Sequence, residues 1–175
     1  MKKQDILEEV VNYAYLSIGS NIGNKLSNLQ RTKSLIFENN INILFSSSYY
    51  ETPSWPNPSL PRFINIVIKV STKQDLKKFF LNLKKIERKM GKRSNIRNSP
   101  RICDIDIIDF NSKNFSVDVN NQKLIVPHPR MNSRNFVLFP LFEIDKKWTH
   151  PKSRINITEL MSKLPVNSIR GIKVI

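Results

Sequence analysis

Apolar positions along the chain change period several times, and each change marks an element. Tyr13 to Ile18 predicts a strand that runs into the turn-rich segment Gly19-Ser20-Asn21-Ile22-Gly23-Asn24. Leu26, Leu29, Leu35 and Ile36 fall at helical spacing and predict a helix from Leu26 to about Phe37. Ile41 to Tyr50 predicts a second strand, and Phe63 to Val70 alternates as a third. Between them, four prolines from Pro53 to Pro61 exclude a continuous ladder. After the capping residues Ser71 to Asp75, the residues Leu76, Phe79, Phe80, Leu83, Ile86 and Met90 trace one helical face, which Gly91 ends. Cys103 to Phe110 is isoleucine-rich and alternates as a fourth strand. A small hairpin, Phe115 to Val119 with Lys123 to Val126, follows. Asn132 to Phe139 then reads as a helix stopped by Pro140, and the tail from Asp145 carries no legible motif.

Strand, helix, strand, strand, helix, strand is the β-α-β-β-α-β order of ferredoxin-like sheets. The expected fold class is therefore α+β, an antiparallel ferredoxin-like core with an added hairpin and a C-terminal helical segment. Topology alone assigns no function. Residues 1–12 are expected to form an N-terminal extension and residues 13–175 a single domain, a length sufficient for a real core. The 39% hydrophobic and 25% charged content is that of an ordinary globular protein, and no stretch predicts a membrane span. A single cysteine, Cys103, makes no internal disulfide, so a cytoplasmic location is expected, with the thiol on the core side of its strand.

The candidate chemistry centres on Asp104-Ile105-Asp106. Residues i and i+2 of a strand share a face, so the two carboxylates stand side by side. Their repulsion is relieved by a cation. A few hard oxygen ligands suit Mg²⁺, which takes its remaining ligands from water and substrate phosphates. The alternative is a solvated face carrying two surface aspartates. What tips the balance toward a metal is the segment in front, Lys92 to Arg101, which carries four positive charges and leads onto the aspartate strand. A basic loop beside a metal-binding pair is what phosphoryl or pyrophosphoryl transfer requires. The net charge of +15 agrees with attraction of a polyanionic small substrate. It also admits nucleic acid, but the lysines are scattered, and Lys, Asn and Ile enrichment points equally to a compositional bias.

Three further segments are weaker alone. Ser17 to Gly23 is a glycine-bearing turn that matches neither a Walker A loop nor a dinucleotide fingerprint. Phe63 and Asn65 share a strand face beside the proline loop with Trp55, a ring and an amide that could seat a flat heterocycle or could simply be core and surface. In Pro127 to Phe136, His128 and Arg134 can donate to phosphate, and Phe136 could supply a second stacking face.

Together these segments resemble the 6-hydroxymethyl-7,8-dihydropterin pyrophosphokinases of folate biosynthesis. The resemblance runs from Ser17-Ile18-Gly19-Ser20-Asn21 through Glu51-Thr52-Pro53, Phe63-Ile64-Asn65, Ile86-Glu87, Pro100-Arg101, Asp104-Ile105-Asp106 and Val126 to Leu138, in family order over about residues 13–144. It implies pyrophosphate transfer from ATP to the pterin hydroxymethyl group, releasing AMP. It implies two Mg²⁺ ions on Asp104 and Asp106. It places the pterin against Thr52, Pro53, Trp55, Phe63, Asn65 and Phe136. ATP falls to Glu87, Arg97, Arg101, His128 and Arg134, and catalytic roles fall to Lys92, Arg93, Arg101 and Asp106. Expected partners are the two small substrates, with no nucleic acid or membrane and a monomeric state. The chain departs from the family pattern in its loop: Ser99 replaces Gly, Asn98 a frequent Trp, Ile102 a Thr, Ser94 an Arg, and Lys92 an Arg, which keeps charge without the bidentate fork. Two rivals stand beside this reading. One is a basic ferredoxin-like RNA-binding module, although no RNP-like aromatic run is present. The other is a family member that binds its ligands without turnover.

Overall fold

A computed structural model describes residues 10–54, 57–91 and 100–175. Strand β1 (Asn12–Ser20) is central. It pairs antiparallel with β4 (Phe63–Thr72) on one side and with β5 (Asp104–Phe110) on the other. Beyond β4 lie β2 (Ile41–Ser46) and β3 (Tyr50–Thr52), which pair successive stretches of its outer edge. Helices α1 (Lys25–Glu38) and α2 (Leu76–Lys89) cross between them. The sheet order β5-β1-β4-β2/β3 is that of an antiparallel ferredoxin-like core, as the element order predicts.

Alternation explains the two faces. Leu16 and Ile18 of β1, Ile66 and Ile68 of β4 and Ile105 of β5 are at most 1% exposed and pack against α1 and α2. Each such side chain contributes about 1.5–3 kcal/mol by leaving water. Both helices start where expected: the Asn24 side chain caps α1, and Asp75 accepts from the amides of Lys77 and Lys78 at the start of α2. Gly91 follows α2 at φ +96°, the left-handed conformation that favours glycine at this position. The opposite face carries a second core of Tyr15, Val67 and Ile108 under α3 (Asn135–Ile144) and α4 (Ile157–Ser162). The register of β1 and β5 shifts between Tyr15 and Leu16. Ile107 and Ile108 serve opposite cores by ordinary alternation, and the bulge keeps Asp109 on the side of Ile108, where it accepts the Trp148 Nε1–H, and returns Phe110 to the first core.

Three expectations need correction. The first strand runs on through Gly19 and Ser20, because both continue to pair with β4. The second strand is broken after Ser46. The Ser47 hydroxyl accepts the Val67 amide, and Glu143 of α3 accepts both the amide and the hydroxyl of Ser48 and the Tyr50 hydroxyl. Side chains thus replace ladder bonds there. Pro140 does not stop a helix. A 3₁₀ turn spans Met131–Ser133, and α3 continues through Pro140 to Ile144. Burial of Val137, Leu138, Pro140 and Leu141 outweighs the helical bond a proline cannot donate. The tail, which carries no legible motif in the sequence, folds as α4, α5 (Val166–Arg170) and β8 (Lys173–Val174), the last paired with β3. The predicted hairpin forms from β6 (Phe115–Val119) and β7 (Gln122–Val126). Among the described residues no helix is long and apolar enough to cross a membrane.

Candidate active site

The register of three strands builds the site. Asn65 of β4 pairs with Gly19 of β1, and Gly19 pairs with Asp104 of β5. One step along, Val67, Ser17 and Asp106 form the next row on the same face. Asp104 and Asp106 therefore share a face with Phe63 and Asn65, opposite the buried Ile105 and Ile107.

Gly19 owes its place to this row. A β-carbon there would stand 2.7 Å from Asn65 Oδ1 and 3.3 Å from the Phe63 ring. The missing side chain lets ring and amide approach the central strand. Its φ does not lie in the left-handed region, so space is the reason for glycine here. The Asn65 amide donates to Thr52 Oγ1 at 2.9 Å, and the two residues are 4% and 1% exposed. Phe63 is partly exposed next to them. The sequence places Thr52, Phe63 and Asn65 in one seat, and the structure brings them together.

Both aspartates face arginines. Arg101 Nη1 lies 2.7 Å from Asp104 Oδ2, and Arg134 Nη1 lies 2.8 Å from Asp106 Oδ2. His128 Nε2 is 3.8 Å from the same Asp106 oxygen, while its Nδ1 accepts the Arg130 amide. Burial pushes the His128 pKa down, Asp106 pulls it up, and Arg134 and Arg130 push it down again; the net direction is down. The Arg134 guanidinium lies 5.4 Å from the Phe136 ring centroid. Among the described residues its buried Nε has no hydrogen-bond partner, a donor left over in a cluster otherwise well paired.

Arg101 is held by a residue that composition and spacing do not single out. Asn21, 2% exposed, accepts the Arg101 amide on its Oδ1 at 2.6 Å and donates its own amide to the Arg101 carbonyl at 3.0 Å. Its Nδ2 donates to the Pro61 carbonyl. One asparagine thus ties the end of β1 to the proline loop and to the approach of the aspartate strand.

Glu87 is also well occupied. It is 1% exposed, Oε1 accepts the Ile105 amide at 2.8 Å, and Oε2 pairs with Lys84 at 2.8 Å. It sits beneath the aspartate strand and touches it through the backbone. Beside Asp106 a cleft of about 200 Å³ opens between α2, β5 and β7. Phe80, Ile107, Leu124 and Ile125 supply apolar walls, and Lys84, Lys123 and His128 bring donors to its rim. Lys84 and Lys123 are additions to the sequence-predicted set; scattered lysines give no local signal.

The donor set suits a divalent cation with few protein ligands. Two carboxylates offer hard oxygens on one face, with side chains 26% and 29% exposed. Among the described residues no group of three or more metal-ligating side chains occurs, so phosphate and water would complete the shell, as Mg²⁺ prefers. Cys103 lies on the core side, 3.3 Å from the Thr32 hydroxyl, as expected. Trp55, Lys92, Arg93 and Arg97, with Ser94, Asn98 and Ser99, lie outside the described residues.

Comparison with known proteins agrees with this geometry. The sequence profile of the 7,8-dihydro-6-hydroxymethylpterin-pyrophosphokinase (HPPK) family matches residues 15–146. The chain is 34% identical to the 2-amino-4-hydroxy-6-hydroxymethyldihydropteridine pyrophosphokinase of Bacillus subtilis, over 76% of this chain and 78% of that protein. It is 30% identical to the Aquifex aeolicus protein of the same name, over 89% and 92% respectively. The folic acid synthesis protein fol1 of Pneumocystis carinii is 31% identical over 90% of this chain, which spans only 21% of that longer protein. A crystal structure of Plasmodium falciparum HPPK-DHPS with pterin and p-hydroxybenzoate superposes with a TM-score of 0.74 at 17% identity, covering 97% of this chain and 48% of that one, and shares the fold. With the aspartate pair, the Gly19–Asn65 row and the His128–Arg134 segment all inside the matched region, the chain belongs to the 7,8-dihydro-6-hydroxymethylpterin-pyrophosphokinase family.

Proposed function

We propose that residues 13–175 act as a monomeric, ATP-dependent pyrophosphokinase in folate biosynthesis, moving a pyrophosphoryl group from ATP to the hydroxymethyl oxygen of 6-hydroxymethyl-7,8-dihydropterin. The new bond joins the pterin oxygen to the β-phosphorus. The bond between that phosphorus and the α-phosphate bridging oxygen breaks, AMP leaves, and the alcohol proton is lost to solvent. A cytoplasmic setting suits an ATP-consuming site.

The single observation that carries the reading is that two like-charged carboxylates and three cationic or donor side chains, Arg101, Arg134 and His128, meet on the face that also holds Phe63 and Asn65. The pterin stacks on Phe63 and Phe136, and the Asn65 amide, fixed by Thr52 beside Pro53, reads the edge of the heterocycle. Trp55 follows Pro53 by two positions in the sequence. The ATP base enters the apolar cleft beside Asp106, with Lys84 and Lys123 at its rim. Arg101, Arg134 and His128 take the phosphates, and Arg134 Nε, without a partner among the described residues, finds an acceptor there. Lys92, Arg93 and Arg97, which precede Arg101 in the sequence, add positive charge. Glu87 supports the aspartate strand from behind.

Asp104 and Asp106 would hold Mg²⁺, two ions in this reading, and the metal would supply charge neutralisation for the polyphosphate and a lowered pKa for the pterin hydroxyl. The arginine pairs are the resting arrangement of those carboxylates. At this exposure each contributes about 1 kcal/mol or less, so a bound nucleotide can draw the arginines onto phosphate. Orientation then supplies much of the rate, since the nucleophile is an alcohol fixed against its electrophile. An RNA-binding module would need an open, cationic sheet face. Here that face bears two aspartates and lies partly under α3.

The test is direct. Protein, ATP, Mg²⁺ and 6-hydroxymethyl-7,8-dihydropterin are mixed and AMP is measured. Stoichiometric AMP and pterin diphosphate are expected; folded protein that forms no AMP would overturn the assignment.

A further inference from the structure

The segment 165–175 touches the neighbour of each element that forms the proposed pterin seat. Asn135, which precedes Phe136, donates its Nδ2 to the Ser168 carbonyl at 2.5 Å while its Oδ1 accepts the Phe136 amide at 2.5 Å. Arg62, which precedes Phe63, donates through Nη2 to the Gly171 carbonyl at 2.9 Å and through Nε to Glu51 at 3.1 Å. Pro53, which follows Thr52, packs on Gly171 so closely that a β-carbon there would stand 3.0 Å from its Cγ. Beyond Gly171, β8 pairs Lys173 with Glu51 and Val174 with Tyr50, and the Ile175 amide reaches the Tyr49 carbonyl at 3.0 Å.

The body of α3 already packs on β4 and reaches Ser48 and Tyr50 through Glu143; these contacts add a second link at the Phe136 end of the helix, beside the seat itself. Phe63 lies on β4, Thr52 on β3 and Phe136 at the start of α3. The gap between a stacking ring on a strand and one on a helix is set by whatever spans the two. Segment 165–175 spans them: Ser168 is bonded on the helix side, Gly171 on the strand and loop side, and the five-residue α5 fixes the distance between.

We propose that residues 165–175 form a positioning strap for the pterin half of the site, holding Phe136 and the Thr52–Pro53–Phe63 wall at the spacing a planar heterocycle needs. The proposal rests on the functional reading above and goes beyond it, since it assigns substrate affinity to residues that touch no substrate. The strap makes none of these contacts to Asp104, Asp106, Arg101 or the nucleotide cleft, so it acts on one substrate and spares the other.

The test uses the full chain with Gly171→Ala, Gly171→Val, Arg62→Ala and Asn135→Ala. Dissociation constants for 6-hydroxymethylpterin and for Mg²⁺-ATP are measured by titration calorimetry, with kcat and both KM values from AMP release. Gly171→Val should weaken pterin binding by about ten-fold, with Gly171→Ala intermediate, because displacements of under an ångström already degrade a stacked geometry. Arg62→Ala and Asn135→Ala should shift the pterin KM in the same direction, with the ATP KM and kcat within about two-fold of wild type. Equal losses toward both substrates would make the segment a general stability element and overturn the proposal, as would unchanged pterin affinity in folded variants. If Gly171→Val fails to fold, Arg62→Ala and Asn135→Ala decide the matter alone. Wild-type protein that binds no pterin removes the functional reading and the strap with it; wild-type protein that binds, beside variants that bind equally, removes the strap only.

Discussion

The carboxylate of Asp106 accepts Nη1 of Arg134 at 2.8 Å while His128 Nε2 waits 3.8 Å from the same oxygen. The residue proposed to hold metal is thus kept in place by the residue proposed to hold phosphate. Asp106→Ala should abolish Mg²⁺-dependent ATP binding and cut turnover by at least about 10³-fold, in line with losing a preorganised electrostatic element. Circular dichroism should show an intact fold, since the lost pair is partly exposed. Retained turnover would remove Asp106 from the metal site.

Arg101 should separate catalysis from pterin recognition. Its guanidinium pairs with Asp104, whereas Asn65 is bonded to Thr52 on the other side of Gly19 in the same row. Arg101→Ala is expected to lower kcat by about 10²-fold while the pterin dissociation constant changes little. Steady-state kinetics with pterin titration checks this; the opposite split would put Arg101 in the pterin seat.

Gly19→Ala tests the seat sterically. The new methyl group would meet Asn65 Oδ1 at 2.7 Å and the Phe63 ring at 3.3 Å. Something must shift, at a cost of about 1–3 kcal/mol in thermal or urea unfolding. Pterin KM should rise while the ATP KM holds. An unchanged pterin KM would mean that Phe63 and Asn65 do not hold the heterocycle.

His150 gives the pH test. Its Nδ1 accepts the amides of Lys152 and Ser153, each at 3.2 Å, and the ring packs edge-on to Trp148. Burial pushes its pKa down, a backbone hydrogen bond works upward, and Lys152 pushes it down; the net direction is below the ordinary 6.5. The unfolded chain therefore binds this proton more readily than the native one. The stabilisation is complete above the unfolded value and is lost as pH falls from about 6.5 through the folded value. Urea midpoints should decline across that interval, and His150→Gln should flatten this part of the profile. A slope unchanged by the substitution would assign it to another group.

The legible parts of the molecule are those whose two faces differ in chemistry. β1 and β4 are buried on both faces, yet every second residue, Leu16 and Ile18 or Ile66 and Ile68, is a large aliphatic side chain against α1 and α2, while Ser17, Gly19 and Asn65 alternate with them; the same period puts Asp104 and Asp106 on one face. Asp75 and Gly91 mark α2 through local chemistry. What stayed hidden depends on contacts distant in sequence. Gly19 reads as a turn glycine until the register with Asn65 shows that its missing β-carbon is what matters. Asn21 grips Arg101 eighty positions away. Glu143 breaks the second strand from a helix ninety-five residues later. Pro140 reads as a stop because local propensity cannot register how thoroughly α3 is buried. A two-residue strand such as β8 has no period to detect.

Among the described strands β5 lies at the edge of the sheet, with β1 on one side only. Glu87 takes its outward Ile105 amide, and Lys84 reaches the Ile105 carbonyl at 3.4 Å. An unpaired edge invites another chain to add a strand, and here such an addition would run alongside both aspartates. Helix α2 therefore acts as a selvedge: it finishes the border of the sheet at the one place where fraying into a neighbouring molecule would block the proposed substrate entrance.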